Sequence, residues 1–171
     1  NADHARAMAD HAIGAIDLVV VNLYPFEQTV AKGAERDEVI ENIDIGGPSM
    51  VRSAAKNHEF VTIVTDAADY GALITELDAN VGGTEQVVRR MLAAKAFAAT
   101  AAYDAAISAW FAQVDQGQVF PPRRIVSARL VDTLRYGENP HQTAALYIPE
   151  QPDVNGLPQA EQLQGKELSY N

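Results

Sequence analysis

The sequence predicts an α/β fold in which a parallel sheet is flanked by helices. Three observations carry this reading. Leu18 to Val21 is an unbroken apolar run dominated by valine, the pattern of a strand buried on both faces. Phe60 to Thr65 is a second strand-like run, rich in β-branched residues. The segments around them carry apolar residues at helical spacing, so the order strand, loop, helix, strand, helix emerges.

The elements follow in order. Residues 4–14 hold alanine, methionine and isoleucine at mixed helical spacing, and Gly14 offers a stop. The first strand follows Asp17 and ends at Asn22. Tyr24-Pro25 breaks it, because the residue before proline is driven to extended geometry, and irregular chain is expected through Gly33. Asp37 is placed to cap a short helix bearing Val39, Ile40 and Ile43. Gly46-Gly47-Pro48 then turns into a helix over 49–57. After the second strand, Asp66 is positioned to cap a helix with Tyr70, Leu73, Ile74 and Leu77 on one face, closed by Gly82-Gly83. Thr84 is placed to cap a long helix to about Gln113, with Val88, Leu92, Lys95, Ala99, Tyr103 and Ile107 near one stripe. At 1.5 Å per residue it spans roughly 45 Å, long enough to serve an interface. Phe120-Pro121-Pro122-Arg123-Arg124 reads as a linker before a polar, aromatic segment from Arg129 to Tyr147, which puts a domain boundary between Gly117 and Asp132.

Composition narrows the function classes. The 171 residues, 47% of them hydrophobic, suit one domain and part of another. Cysteine is absent, which excludes disulfides, thiol nucleophiles and cysteine-bound zinc, and the four histidines lack metal-ligand spacing. No metal is expected. No run reaches the about 18 apolar residues of a membrane span and no signal-peptide pattern opens the chain, so a cytoplasmic protein away from membranes is expected. A net charge of −10 disfavours nucleic acid while leaving room for a local pocket for one small anion. The chain opens on Asn1 and closes in a segment, Leu163 to Asn171, that reads as the middle of a fold, so truncation at both ends is expected.

Four segments hold candidate chemistry. Asn22 to Phe26 follows a parallel strand, where ligands of open α/β sheets bind; Tyr24 and Phe26 equally fit a core cap. Ile43-Asp44-Ile45-Gly46-Gly47 sets a carboxylate beside glycines that open backbone N–H groups at a helix start, and Asp44 fits a proton acceptor or a helix cap. Arg52 and Lys56, four apart, share a helix face that can point back to Asp44 and Tyr24, or stay in solvent. Leu134 to Gln142 packs Arg135, Tyr136, Asn139 and His141 around Gly and Pro, a composition costly to order without a ligand; an ordinary surface turn is the alternative.

VNLYPF (Val21 to Phe26), IDIGG (Ile43 to Gly47), AAKNH (Ala54 to His58), LRYGENPHQ (Leu134 to Gln142) and GKELSYN (Gly165 to Asn171) occur in this order. Together they resemble the bifunctional purine-biosynthesis family that joins phosphoribosylaminoimidazolecarboxamide (AICAR) formyltransferase to inosine monophosphate (IMP) cyclohydrolase. The resemblance implies a methylglyoxal-synthase-like cyclohydrolase domain, incomplete at its N-terminal side, over residues 1–122, then a linker and the beginning of the formyltransferase over 123–171. It implies that Val21, Asn22, Asp44, Ile45 and the Gly46-Gly47 backbone line the nucleotide site, that Tyr24 and Asp44 assist ring closure, and that Lys56 transfers a proton. Arg135 and Tyr136 match positions that bind AICAR. The implied substrates are AICAR, formyl-AICAR and IMP, the formyl donor 10-formyltetrahydrofolate, with no cofactor for the cyclisation and a homodimer as assembly. The family's upstream VKTLHP segment and glycine-rich phosphate loops do not precede Asn1, and its transferase lysine and histidine lie past GKELSYN, so the chain alone is expected to be inactive or nearly so. A non-catalytic domain of the same fold that holds a phosphorylated ligand is the competing reading.

Overall fold

The computed structural model describes residues 1–149, 161 and 163–166. Within them the chain divides into two compact units, residues 1–103 and residues 104–171.

In the first unit, helix α1 (Ala2–Asp10) is capped by the Asn1 side chain, which accepts from the Asp3 N–H at 2.9 Å. It ends before Gly14. Ala12 takes a positive φ of 52°, and the Ile13 N–H reaches back to the Met8 carbonyl at 2.8 Å, closing the helix by a left-handed turn without glycine. Strands β1 (Leu18–Val20) and β2 (Thr62–Val64) pair in parallel, Leu18 with Thr62 and Val20 with Val64. β2 is buried throughout, as its sequence predicts. β1 is not: Leu18 and Val20 are 39% and 44% exposed, and only Val19 turns to the core. The expected two-sided burial fails because alternate side chains of a strand point to opposite faces, and helices cover one of them.

The expected irregular segment after Pro25 contains helix α2 (Phe26–Ala31). Six residues are too few to show a period; the helix is held by burial of Phe26 and by the Thr29 hydroxyl, which donates to the Pro25 carbonyl at 3.0 Å. Helix α3 (Arg36–Glu41) follows, with Glu35 at the cap position and Asp37 inside the first turn, so Asp37 is not the cap. Helix α4 (Gly46–Lys56) begins three residues earlier than expected, taking both glycines into its first turn. Its small residues Ala54 and Ala55, with Val51, lie against Val61 and Ile63 and against Ala93 and Ala96 of helix α6 (Gln86–Ala109), forming the main core. Absence of bulk on these faces lets backbones approach closely, which is why alanine-rich helices serve here.

Beyond β2, the Asp66 carboxylate caps a 3₁₀ turn (Ala67–Asp69), accepting from the Ala68 N–H at 2.9 Å, and helix α5 (Tyr70–Ala79) buries Leu73 beside Val64 and Leu92. Thr84 does not cap α6. Its hydroxyl pairs with that of Thr62 at 2.7 Å, and the Arg89 N–H instead reaches the Glu85 carbonyl. The buried stripe of α6 in this unit runs through Leu92, Ala93, Ala96, Thr100 and Tyr103; Leu92 and Tyr103 are as expected, while Ala96 and Thr100 take the places expected for Lys95 and Ala99. Lys95, expected on that stripe, faces outward, donating to Asp66 at 3.2 Å and to Asp69 at 2.7 Å.

In the second unit the expected long helix widens into a π-turn (Trp110–Asp115) with Trp110 buried and edge-on to Phe111 at 5.0 Å. Strands β3 (Ala128–Leu134) and β4 (Ala144–Pro149) pair antiparallel with an irregularity between Leu130 and Asp132. From Glu167 onward the GKELSYN segment lies outside the described residues.

Candidate functional site

A cavity of about 790 Å³ opens in the first unit, beyond the C-terminal end of β1 and beside the N-terminus of α4. That is the position at which open α/β sheets hold ligands. Val21, Asn22 and Tyr24 line it from the strand exit, and Asp44, Ile45, Gly46 and Gly47 from the helix start. In sequence these residues form two groups about 20 residues apart; the fold makes them one wall.

Asp44 joins the two groups. One carboxylate oxygen accepts from the Gly47 N–H at 2.7 Å and the other from the Tyr24 N–H at 3.3 Å. The first bond satisfies a donor of the open helix start, so Asp44 caps α4, and the second ties the strand exit to it. Asp44 thus caps α4 and lines the cavity with the same side chain. Gly47 makes this possible: a Cβ there would sit 2.5 Å from an Asp44 carboxylate oxygen and 2.7 Å from the Leu23 side chain. No other residue fits without moving the carboxylate. The Asn22 amide donates to the Tyr70 hydroxyl at 3.4 Å. Tyr24 is 57% exposed and lines the cavity rather than capping the core; Phe26, 1% exposed, is the core residue.

Three further residues line the cavity that sequence reasoning did not select: Ile40, Glu41 and Met50. Glu41 places a second carboxylate beside Asp44 there. Its only sequence signal was position, three residues before Asp44.

The basic pair on α4 behaves differently from expectation. The Arg52 guanidinium lies 5.6 Å from the centroid of the Phe97 ring on α6, so it does not turn back to Asp44. Lys56 is exposed and absent from the cavity lining; ten residues of helix separate it from Gly46, roughly 15 Å along the axis.

In the second unit the Arg135 guanidinium stacks on the Tyr136 ring at 5.0 Å and donates to its hydroxyl at 3.4 Å. The loop joining β3 to β4 is ordered by its own bonds. The Gln142 side-chain oxygen accepts from the Asn139 N–H at 2.8 Å, and the Gly137 N–H donates to the Gln142 carbonyl at 2.8 Å. Among the described residues no group of three or more His, Cys, Asp or Glu side chains is placed to hold a metal, and no helix is long and apolar enough to cross a membrane.

Residues 54–171 match the family described as AICARFT/IMPCHase bienzyme. The chain belongs to that family. Residues 1–49 of the chain match the MGS-like domain, so the expected methylglyoxal-synthase-like α/β fold, followed by AICARFT/IMPCHase sequence, holds. The chain is 59% identical over 170 residues to the bifunctional purine biosynthesis protein PurH of Caulobacter vibrioides, and 60% identical over 172 residues to PurH of Roseobacter denitrificans. These alignments cover 99% and 100% of this chain but 31% and 32% of the relatives, so it spans about a third of their length. The crystal structure of ForH superposes with a TM-score of 0.53 at 35% identity, covering 65% of this chain and 58% of ForH.

Proposed function

We propose that the full-length protein carrying this chain closes the purine ring of IMP from formyl-AICAR, and that the cavity at Asp44 holds the reacting end of that substrate. The observation that carries the reading is the Asp44 carboxylate, fixed by two backbone N–H groups in the wall of a cavity it shares with Tyr24, Asn22 and the start of α4. Membership of the bienzyme family supports it.

The reaction joins the carboxamide nitrogen to the formyl carbon and passes a carboxamide proton to the formyl oxygen, giving a carbinolamine; its hydroxyl then leaves as water with the proton of the former formamide nitrogen, and a C=N bond forms. An amide nitrogen is a poor nucleophile, so a base and a stabiliser of the developing oxyanion are needed. Asp44 takes the carboxamide proton. Because the Gly47 N–H is already given to Asp44, the oxyanion falls to the Gly46 N–H, at the first helical position, and to the Tyr24 hydroxyl. Val21 and Ile45 supply apolar wall against the flat heterocycle, and Asn22 an amide for its polar edge. Proton transfer by Lys56 rests on the family resemblance alone, since the residue lies outside the cavity lining at the far end of α4. In the full-length protein Asp44→Asn and Lys56→Ala are each expected to lower cyclisation by about 10²-fold or more, read as turnover of the formylated ribotide. Undiminished turnover in either variant removes that residue from the mechanism.

Residues 1–122 form the cyclohydrolase domain in this reading, and residues 123–171 the linker and the beginning of a formyltransferase that uses 10-formyltetrahydrofolate. There the stacked Arg135 and Tyr136 offer a fork and a flat face for AICAR. The protein is cytoplasmic and homodimeric in the same reading; exposed apolar residues at helical spacing on α6 (Val87, Met91, Ala94, Ala98, Ala101) support self-association. The place of Lys56 outside the cavity lining favours one alternative, a ligand-holding domain without turnover. IMP binding without cyclisation by the full-length protein selects it.

A further inference from the structure

We propose that Tyr103 is a positioning residue for Asp44, setting the geometry of the cavity wall from 59 residues away. The inference rests on the reading of Asp44 as the base of ring closure. Tyr103 is the last residue of the first unit and stands on α6 with only 7% of its surface exposed. Its hydroxyl accepts from the Asp44 N–H at 2.8 Å and donates to the Asn42 carbonyl at 3.1 Å. One phenol oxygen therefore bridges both ends of the Asn42-Ile43-Asp44 segment that leads from α3 into the cavity. The ring packs edge-on against Phe26 of α2, 6.2 Å between centroids.

The physical consequence is a chain of fixed contacts. The packed ring fixes the hydroxyl, the hydroxyl fixes the Asp44 backbone, and the Gly47 and Tyr24 N–H groups fix the Asp44 carboxylate. Without the hydroxyl, the segment keeps its bonds to α3, Ile43 N–H to the Ile40 carbonyl at 3.0 Å among them, and the Asp44 carboxylate bonds, but the Asp44 N–H loses this partner. A carboxylate that must meet a reacting proton within hydrogen-bond reach loses rate when its backbone wanders by an ångström. Tyr103 does not line the cavity, so it acts through Asp44 and not on substrate.

Tyr103→Phe in the full-length protein keeps the ring and deletes only the bridge. Amide hydrogen exchange is expected to quicken by about tenfold at Asp44 while Ile63 of β2 is unchanged, the size expected for one lost hydrogen bond. The kcat of cyclisation is expected to fall by about tenfold or more with little change in KM, and formyl transfer by the same protein to stay at the unsubstituted rate. Unchanged exchange at Asp44 overturns the proposal whatever the activity. Faster exchange with undiminished cyclisation overturns it too, leaving Tyr103 a structural residue. Should the unsubstituted protein not cyclise the ribotide, the reading of the reaction fails, and the exchange result alone decides whether Tyr103 positions Asp44.

Discussion

Asp44 and Gly47 depend on each other for space. With its carboxylate 2.5 Å from where a Gly47 Cβ would stand, Asp44 can cap α4 only because that position has no side chain. Gly47→Ala is expected to cost about 1–3 kcal/mol by overpacking, more than the small gain alanine brings to a helix, and to lower ligand affinity with it. Denaturant unfolding with parallel titration checks both; an alanine variant as stable as the parent would show that the carboxylate has another place to go. At this scale much was legible. Asp44 beside two glycines is a local signal, because capping acts within three or four residues of sequence. Tyr103 was legible only as a stripe residue, since nothing at its own position encodes a partner 59 residues away.

Among elements, the contact between α6 and the turn before α5 shows how a charge can defeat a pattern. Lys95 falls on the apolar stripe by spacing, yet it faces outward to Asp66 and Asp69. The Ala68 N–H, then Lys95, holds the Asp66 carboxyl below the usual aspartate range. The Lys95 ammonium is raised above its usual value chiefly by its hydrogen bond to Asp69; burial, the next largest influence, opposes this, and the Asp66 bond adds to it. The signs set a window. A depressed carboxyl adds stability above its unfolded value that is lost as pH falls through the folded one; a raised ammonium adds stability that is lost as pH rises through its folded value. The stability gap between the parent and Lys95→Met is therefore expected to be widest near neutral pH, to close in acid below the aspartate range, and to close again above the usual lysine value. Melting temperatures of both proteins across pH test this, and a pH-independent gap would assign Lys95 a packing role instead. Exposed pairs of this kind are screened, so the gap also narrows in high salt. The short helix α2 and the one-sided burial of β1 escaped the sequence for a related reason: six residues carry no measurable period, and a run of apolar residues does not say which neighbours will cover it.

For the whole molecule, the cavity and the net charge of −10 point the same way. The residues lining the cavity include the carboxylates of Glu41 and Asp44 and no Lys, Arg or His. Such a wall suits the uncharged heterocycle and ribose of a nucleotide better than its phosphate. The 171-residue chain by itself is accordingly expected to bind inosine and IMP with affinities within about tenfold of each other, the phosphate adding little. Calorimetric titration at low salt reads this directly, and a phosphate contribution well beyond tenfold would place a cationic contact at the cavity.

By itself the sequence determined the α/β class, the parallel pairing of its two valine-rich runs, the cap at Asp66, and the identities of the residues at the strand exit and the α4 start. Each of these rests on periods and neighbours a few residues long. Only the tertiary structure decided that the Asn22 and Asp44 segments form one wall, that Glu41 shares it, that Arg52 leaves it for Phe97, and that Tyr103 braces it. Those outcomes depend on which helix faces cover which strand, a choice made by burial over the whole core and not by any local spacing.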